Sequence, residues 1–262
     1  MAASWAPPAS RCRCSNTFRH FSPGPSQGRI RAMTEHQAVA VLGTGNMGRG
    51  LARVLAAAGH TVLLGSRDPE RAQQLATELG AHRVQGMSNV EAASRASIVF
   101  LAYHSNDTLL HELAPVTEGK VVVDIATYHD EPPADFNPLT QVPSSSPQER
   151  TAQQLPRAHV LGAFQVTWAQ LFDTPLLDGR KTPVFVLGDH TGAKASLLAL
   201  IRTLPFEPVD AGGLQQARIV AALYFLVTGL GRRYAFRDHG HDWRTSVRAL
   251  NILLPAALGL GP

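Results

Sequence analysis

The sequence predicts an α/β protein built on a doubly wound parallel sheet, followed by a small C-terminal lobe. Three observations predict it. Short apolar runs alternate with helical patterns from residue 38 onward, a glycine-rich turn directly follows the first run, and the runs are apolar at consecutive rather than alternate positions. Continuous hydrophobicity marks strands covered by helices on both faces.

The apolar runs place strands at residues 38–42, 61–64, 98–102, 121–125 and 160–164. Helical patterns fill the intervals at 48–58, 69–79, 89–93, 108–114 and 147–155. Asp68 before Pro69 reads as an N-cap followed by proline in the first helical turn. A Pro/Ser-rich stretch, residues 132–147, is longer than an ordinary connection and reads as a loop that lines a site. After residue 164 the alternation pauses. Residues 183–187 then read as a strand, 191–204 as a helix, 207–209 as a short strand, and 214–230 as the longest apolar helix.

Length and composition bound the function. A chain of 262 residues suits one α/β domain with a small second lobe, and 44% hydrophobic with 17% charged residues is ordinary for a globular core. The expected division is a disordered or non-native tail over 1–36, a nucleotide-binding domain over 37–166, and a smaller α/β lobe with a helical tail over 167–262. The most apolar stretch, 219–230, is interrupted by Thr228 and Gly229 and is too short to cross a bilayer. A cytoplasmic protein without a membrane partner is therefore expected. Cys12 and Cys14 both sit in the tail and form neither a disulfide framework nor a metal tetrad.

The net charge of +4 invites a nucleic-acid reading, but its location argues against one. Residues 1–34 hold five arginines and no acid; removing these five from 24 basic residues leaves 19 against 20 acidic ones. This tail fits a transit peptide, a disordered arm, or sequence ahead of a translation start at Met33. The start at Met33 is favoured, because the first strand opens a few residues later.

The segment Gly43-Thr44-Gly45-Asn46-Met47-Gly48 puts Gly-x-Gly-x-x-Gly after a buried strand and at the mouth of a helix. In this context Gly43 allows a tight turn, Gly45 lets backbone approach a pyrophosphate, and Gly48 lets helix pack on strand. The expected fold is therefore a Rossmann NAD(P)-binding fold. The end of the second strand selects the dinucleotide. Enzymes that use NAD place a carboxylate there, whereas this chain has Gly65-Ser66-Arg67. A 2′-phosphate can take a hydrogen bond from Ser66 and the guanidinium fork of Arg67, with Arg71 as a second cation. The expected cofactor is NADP(H).

Residues 40–71, with Gly-Thr-Gly-Asn-Met-Gly-Arg-Gly and then Gly-Ser-Arg, resemble the NADPH-dependent reductases of the deazaflavin coenzyme F420. They are similar also to the nucleotide-binding domain of the STEAP metalloreductases. The resemblance continues through Val99-Phe100-Leu101-Ala102, Val121-Val122-Val123-Asp124-Ile125, Ser144-Ser145-Ser146 and Leu161-Gly162-Ala163-Phe164. It reaches Val186-Leu187-Gly188-Asp189 and Val209-Asp210-Ala211-Gly212-Gly213-Leu214, and so covers roughly residues 38–226. It implies direct hydride transfer between NADPH and a planar acceptor, F420 or a flavin, which needs alignment more than a side-chain acid or base. It further implies nicotinamide contacts from Ala102, Tyr103, His104 and Ala126, and an acceptor near Thr127, Phe164, Gln165 and Trp168.

The chain departs from the family in these same loops. Ala126-Thr127-Tyr128-His129 stands where an Asn-Pro turn is frequent, and Ala163-Phe164-Gln165 where Ala-Phe-Asn is frequent. Tyr103-His104 replaces a small residue and a proline. A different planar acceptor or a small organic substrate stays open, as do a pyrroline-carboxylate or imine reductase and a non-catalytic NADPH sensor. No catalytic side chain is certain; His104, at a strand's carboxyl end, is a candidate proton donor. His104, His111, His129 and Asp130 match no metal-ligand spacing. Arg232, Arg233, Arg237, Arg244 and Arg248 are interrupted by Asp238 and Asp242 and read as a solvated segment or subunit contact. The apolar residues 214–230 and 250–260 suggest a homodimer.

Overall fold

The computed structural model describes residues 38–80, 82–103, 107–127, 144–234, 243–244 and 246–248, all within the unit Arg31–Pro262. The tail, with Cys12, Cys14 and Met33, lies outside the described residues, as do His104, Tyr128, His129, Asp130, residues 132–143, Arg237, Asp238, Asp242 and residues 250–260.

Six strands form a parallel sheet: β1 (Val39–Leu42), β2 (Val62–Ser66), β3 (Val84–Ser88), β4 (Ile98–Leu101), β5 (Val121–Asp124) and β6 (His159–Gly162). Their spatial order is β3-β2-β1-β4-β5-β6. Strand order therefore reverses at β1, whose neighbours are β2 on one side and β4 on the other. This reversal opens a crevice at the carboxyl ends of β1 and β4, the place where doubly wound sheets bind ligands.

The period-2 alternation of side chains divides the sheet between two cores. Val39, Val41, Leu64, Phe100 and Val123 face one core, shared with α1 (Asn46–Ala57), α2 (Pro69–Glu78) and α6 (Thr191–Arg202). Ala40, Leu42, Leu63, Leu101 and Val122 face the other, shared with α3 (Asn89–Arg95), α4 (Asp107–Leu113) and α5 (Pro147–Gln154). Both faces are covered, which is why the strands read as unbroken apolar runs.

Strand β3 escaped the sequence reading. Of its sequence Val-Gln-Gly-Met-Ser only Val84 and Met87 are buried, because β3 pairs only with β2 and lies at the sheet edge. It carries no continuous apolar run to find. Gly86 marks it in retrospect: a Cβ there would stand 2.2 Å from the Ala72 carbonyl carbon and the Gln73 nitrogen, so α2 packs backbone to backbone on this strand.

Beyond β6 the chain forms a second small sheet from β7 (Leu176–Leu177), β8 (Arg180–Val186) and β9 (Phe206–Asp210), with α6 between β8 and β9. Gly162 and Leu187 exchange two backbone hydrogen bonds of 2.9 Å and link β6 to the end of β8. The lobe is not a separate core, since Leu197, Leu200, Phe206 and Val220 belong to the same buried cluster as Val39 and Phe100. The last long helix, α7 (Ala217–Tyr234), starts after a 3₁₀ turn at Leu214–Gln216 and leaves Ile219 and Leu226 exposed. No helix among the described residues is long and apolar enough to cross a membrane.

Candidate dinucleotide site

The turn from β1 into α1 assigns a separate physical task to each glycine. Gly43 has φ +126°, and a Cβ on it would stand 2.4 Å from the carbonyl oxygen of Ala102 at the end of β4. A Cβ on Gly48 would stand 2.0 Å from the carbonyl oxygen of Gly43. Both glycines are therefore required by the protein's own packing. A Cβ on Gly45 would meet nothing within 4 Å, and its backbone is extended rather than left-handed. Nothing inside the described protein requires glycine there, and the space above it is open.

Helix α1 has Gly45 at its N-cap, with no side-chain cap and no acid in its first turn. Helices α2, α3, α5 and α6 are capped by the side chains of Asp68, Ser88, Ser146 and His190. The amino end of α1 thus presents unpaired N–H groups and the positive end of a helix dipole, while Thr44 is half-buried and Asn46 exposed beside it. Met47 packs against the core and Gly48 is buried.

One strand away, Gly65 pairs with Leu42 across the β1–β2 ladder, which sets the following Ser66-Arg67 beside the glycine turn. The Ser66 hydroxyl oxygen accepts the Asp68 N–H at 3.1 Å, which leaves its hydrogen free to donate. Asp68 accepts from the N–H groups of Glu70 and Arg71 at 3.0 and 3.2 Å and is the α2 cap, as its position before proline predicts. Arg67 and Arg71 are exposed, and neither forms an ion pair among the described residues. Two cations without a carboxylate partner, one hydroxyl donor and an uncapped helix end suit a dianionic phosphate and a pyrophosphate.

The carboxyl ends of β4, β5 and β6 are built differently. Ala102 is buried and Tyr103 half-buried, with its hydroxyl enclosed and unpartnered. Burial, and then the charge of Asp124, push the Tyr103 phenol above its ordinary value. The Asp124 carboxylate accepts the Ala126 N–H at 2.8 Å and the Thr151 hydroxyl at 2.7 Å. Gln148 donates to the Ala126 carbonyl at 2.6 Å and to that of Asp124 at 3.3 Å. The Thr127 hydroxyl donates to the Gln165 carbonyl at 2.7 Å, so the turns after β5 and β6 are joined directly.

The aromatic and amide residues expected at the acceptor lie deeper than the sequence implied. β6 ends at Gly162, two residues short of the predicted strand, and Phe164 adopts φ +62°. That conformation swings its ring into the core, 1% exposed, against Phe100, Phe172 and Phe206 at centroid distances of 5.6–6.2 Å. The Phe164 side chain is a core element and not a wall of an open pocket. Gln165 is buried with both amide atoms unpartnered, and Trp168 is buried with its ring stacked on Tyr224 of α7 at 5.5 Å. Of the candidate acceptor contacts, only Thr127 is half-exposed. The resemblance names Gln165 and Trp168, but that their amide and indole N–H are buried without partners among the described residues is seen only in the structure.

Among the remaining candidates, His111 is exposed on α4, and Arg248 pairs with Asp178 at 2.8 Å on the surface. No cluster of three potential metal-ligating side chains occurs among the described residues.

Comparison with known proteins agrees with this geometry. Residues 38–128 match the family model described as NADP oxidoreductase, coenzyme F420-dependent. The chain is 31% identical over 186 residues to metalloreductase STEAP3 of Rattus norvegicus, covering 71% of this chain and 36% of that protein. It thus spans about a third of the length of the curated STEAP relatives it matches. It is 29% identical over 218 residues to the F420-dependent NADP reductase of Methanothermobacter marburgensis, covering 77% of this chain and 96% of the reductase. A crystal structure from Arthrobacter sp. FB24, provisionally assigned as an F420-dependent NADP-reductase, superposes with a TM-score of 0.60 at 28% identity, over 73% of this chain and 92% of the other. With its glycine turn, its Ser66-Arg67 pair and the 3-2-1-4-5-6 sheet, the nucleotide-binding half of this chain is similar in sequence and fold to the coenzyme F420-dependent NADP oxidoreductases.

Proposed function

We propose that the protein is an NADPH-dependent oxidoreductase that passes hydride between NADP(H) and a planar acceptor of the F420 or flavin type. The observation that carries this reading is the open space over Gly45 beside the exposed cations Arg67 and Arg71, which form no ion pair among the described residues. The amino end of α1 holds the pyrophosphate, and Ser66, Arg67 and Arg71 hold the 2′-phosphate. The backbone of Ala102, Tyr103 and Ala126 lies along the nicotinamide half, with Thr127 toward the acceptor. His104, outside the described residues, remains a candidate contact at the same end. When bound, the nicotinamide supplies a hydride, and direct transfer asks the protein for alignment and exclusion of water. The hydrogen-bonded turns at 124–127 and 165 provide a rigid floor for that alignment.

The names of the full-length-matching reductases support F420 as the first acceptor to try. Stopped-flow oxidation of NADPH, followed with F420 and then with FMN as acceptor, tests the proposal. Rapid NADPH loss with either acceptor is the expected result. Tight NADPH binding with no turnover of either would replace the enzyme with a nucleotide sensor.

A further inference from the structure

The two anion-binding ends of the nucleotide site are built with different precision. At the pyrophosphate end, the backbone N–H groups that open α1 are held in place by the helix itself, beside the free space over Gly45. The ribose-phosphate end has no such cradle. The first N–H groups of α2 are already taken, because Asp68 accepts from Glu70 and Arg71 at 3.0 and 3.2 Å. What is left is the Ser66 hydroxyl and the guanidinium groups of Arg67 and Arg71, on exposed side chains that form no ion pair among the described residues. A guanidinium on a long, unanchored stem follows a phosphate to either of two neighbouring positions.

Selectivity between those positions needs a group that rejects the wrong one. Around a ribose that group is a carboxylate, which accepts hydrogen bonds from free hydroxyls and repels a phosphate. The carboxylate that follows β2, Asp68, is spent on the α2 cap, and α1 has no acid in its first turn. Glu70 lines a groove with Gln73, Gln85 and Met87 along β3, on the side of β2 away from β1. Neither α1 nor the end of β2 therefore asks for a free 3′-hydroxyl.

We propose that the site also takes adenosine 3′-phosphates that carry a 5′-diphosphate, the head group of coenzyme A and its thioesters, in competition with NADP(H). The proposal rests on the reading of this edge as a dinucleotide site and adds a second class of ligand to it. The 5′-diphosphate lies on the amino end of α1, and the 3′-phosphate meets Arg67 and Arg71. The pantetheine arm leaves along the path of the nicotinamide half, so the two ligands exclude each other. Coenzyme A has no hydride to give from that position, and it acts there as an inhibitor.

The test is calorimetric titration of wild-type protein and Arg67→Ala with NADPH, coenzyme A, dephospho-coenzyme A and adenosine 3′,5′-bisphosphate, and of the NADPH-saturated protein with coenzyme A. Coenzyme A is expected to bind free protein, to compete with NADPH, and to bind at least about tenfold more tightly than its dephospho form, which lacks the hydrogen bonds to a charged group. Arg67→Ala is expected to weaken coenzyme A and NADPH by factors within about threefold of each other, since one guanidinium meets the phosphate in both. Adenosine 3′,5′-bisphosphate, with half of the diphosphate missing, is expected to bind more weakly than coenzyme A. Equal binding of coenzyme A and its dephospho form overturns the proposal, as does an Arg67→Ala protein that loses NADPH alone. A bisphosphate as tight as coenzyme A overturns the assignment to the coenzyme A class. NADPH binding without coenzyme A binding sinks this inference alone, whereas absence of both sinks the proposed function first and the inference with it.

Discussion

The carboxyl edge of the sheet is built in two ways. At β1 and β2 the polar groups are unspent among the described residues: a helix end without a side-chain cap, two arginines without an ion pair and a glycine with free space above it. At β5 and β6, among the described residues, the polar groups of the turns are largely committed to one another through Asp124, Gln148, Thr151 and Thr127. The difference separates two demands. A phosphate site needs unpaired donors waiting for an anion, whereas the floor beneath a hydride transfer needs groups already fixed in place.

The largest expected effect tests whether Phe164 belongs to the floor or to the pocket. Phe164→Ala removes a ring packed against three other phenylalanines and is expected to cost about 3–5 kcal/mol, read as a lowered denaturation midpoint. A variant of native stability with only a changed acceptor KM would return Phe164 to the pocket wall.

Next come the two glycines with opposite reasons. Gly45→Val is expected to leave the melting temperature nearly unchanged while lowering NADPH affinity at least about 100-fold, about 2.8 kcal/mol. Gly48→Ala drives a methyl group onto the Gly43 carbonyl and is expected to destabilise the fold by about 1–3 kcal/mol whether or not nucleotide is present. Equal behaviour of the two in thermal melts and titrations would erase the contrast between a ligand glycine and a packing glycine.

A smaller effect sharpens the phosphate assignment. Arg67→Ala is expected to weaken NADPH by about 1.5–3 kcal/mol, the range of hydrogen bonds to charged groups, and to leave NADH almost unaffected. Equal losses for both nucleotides would move the 2′-phosphate elsewhere.

The smallest effect concerns acid. The Arg218 fork, acting chiefly through its hydrogen bonds, draws the Glu149 carboxyl from its ordinary 4.5 down to about 2. A carboxylate depressed in the folded state contributes stability that is complete above its unfolded value and lost as pH falls toward the folded one. Wild-type protein should therefore lose stability more steeply than Glu149→Gln between about pH 4.5 and 2, in melts recorded across that range. Parallel pH profiles would mean that the pair between α5 and α7 contributes nothing.

Much of this molecule follows from local rules that read directly off the chain. Buried parallel strands need unbroken apolar runs, so β1, β2, β4 and β5 were visible, and β3 was not, because at the sheet edge only Val84 and Met87 of its five residues are buried. Asp68 before Pro69 is a cap by short-range chemistry, and the glycine spacing with Ser66-Arg67 states an anion site in residues adjacent in sequence or one strand apart. The acceptor side obeys no such local rule. The inward turn of Phe164 depends on Phe100, Phe172 and Phe206, which come from distant segments. Two of the partners of Asp124, Gln148 and Thr151, likewise come from a helix 24 and 27 positions away. The sequence by itself determined the sheet and the nucleotide turn, because hydrophobic period, capping and φ preference are properties of neighbouring residues. Tertiary structure alone decided which polar groups stay idle and which are spent, because that depends on what long-range packing brings within hydrogen-bond reach.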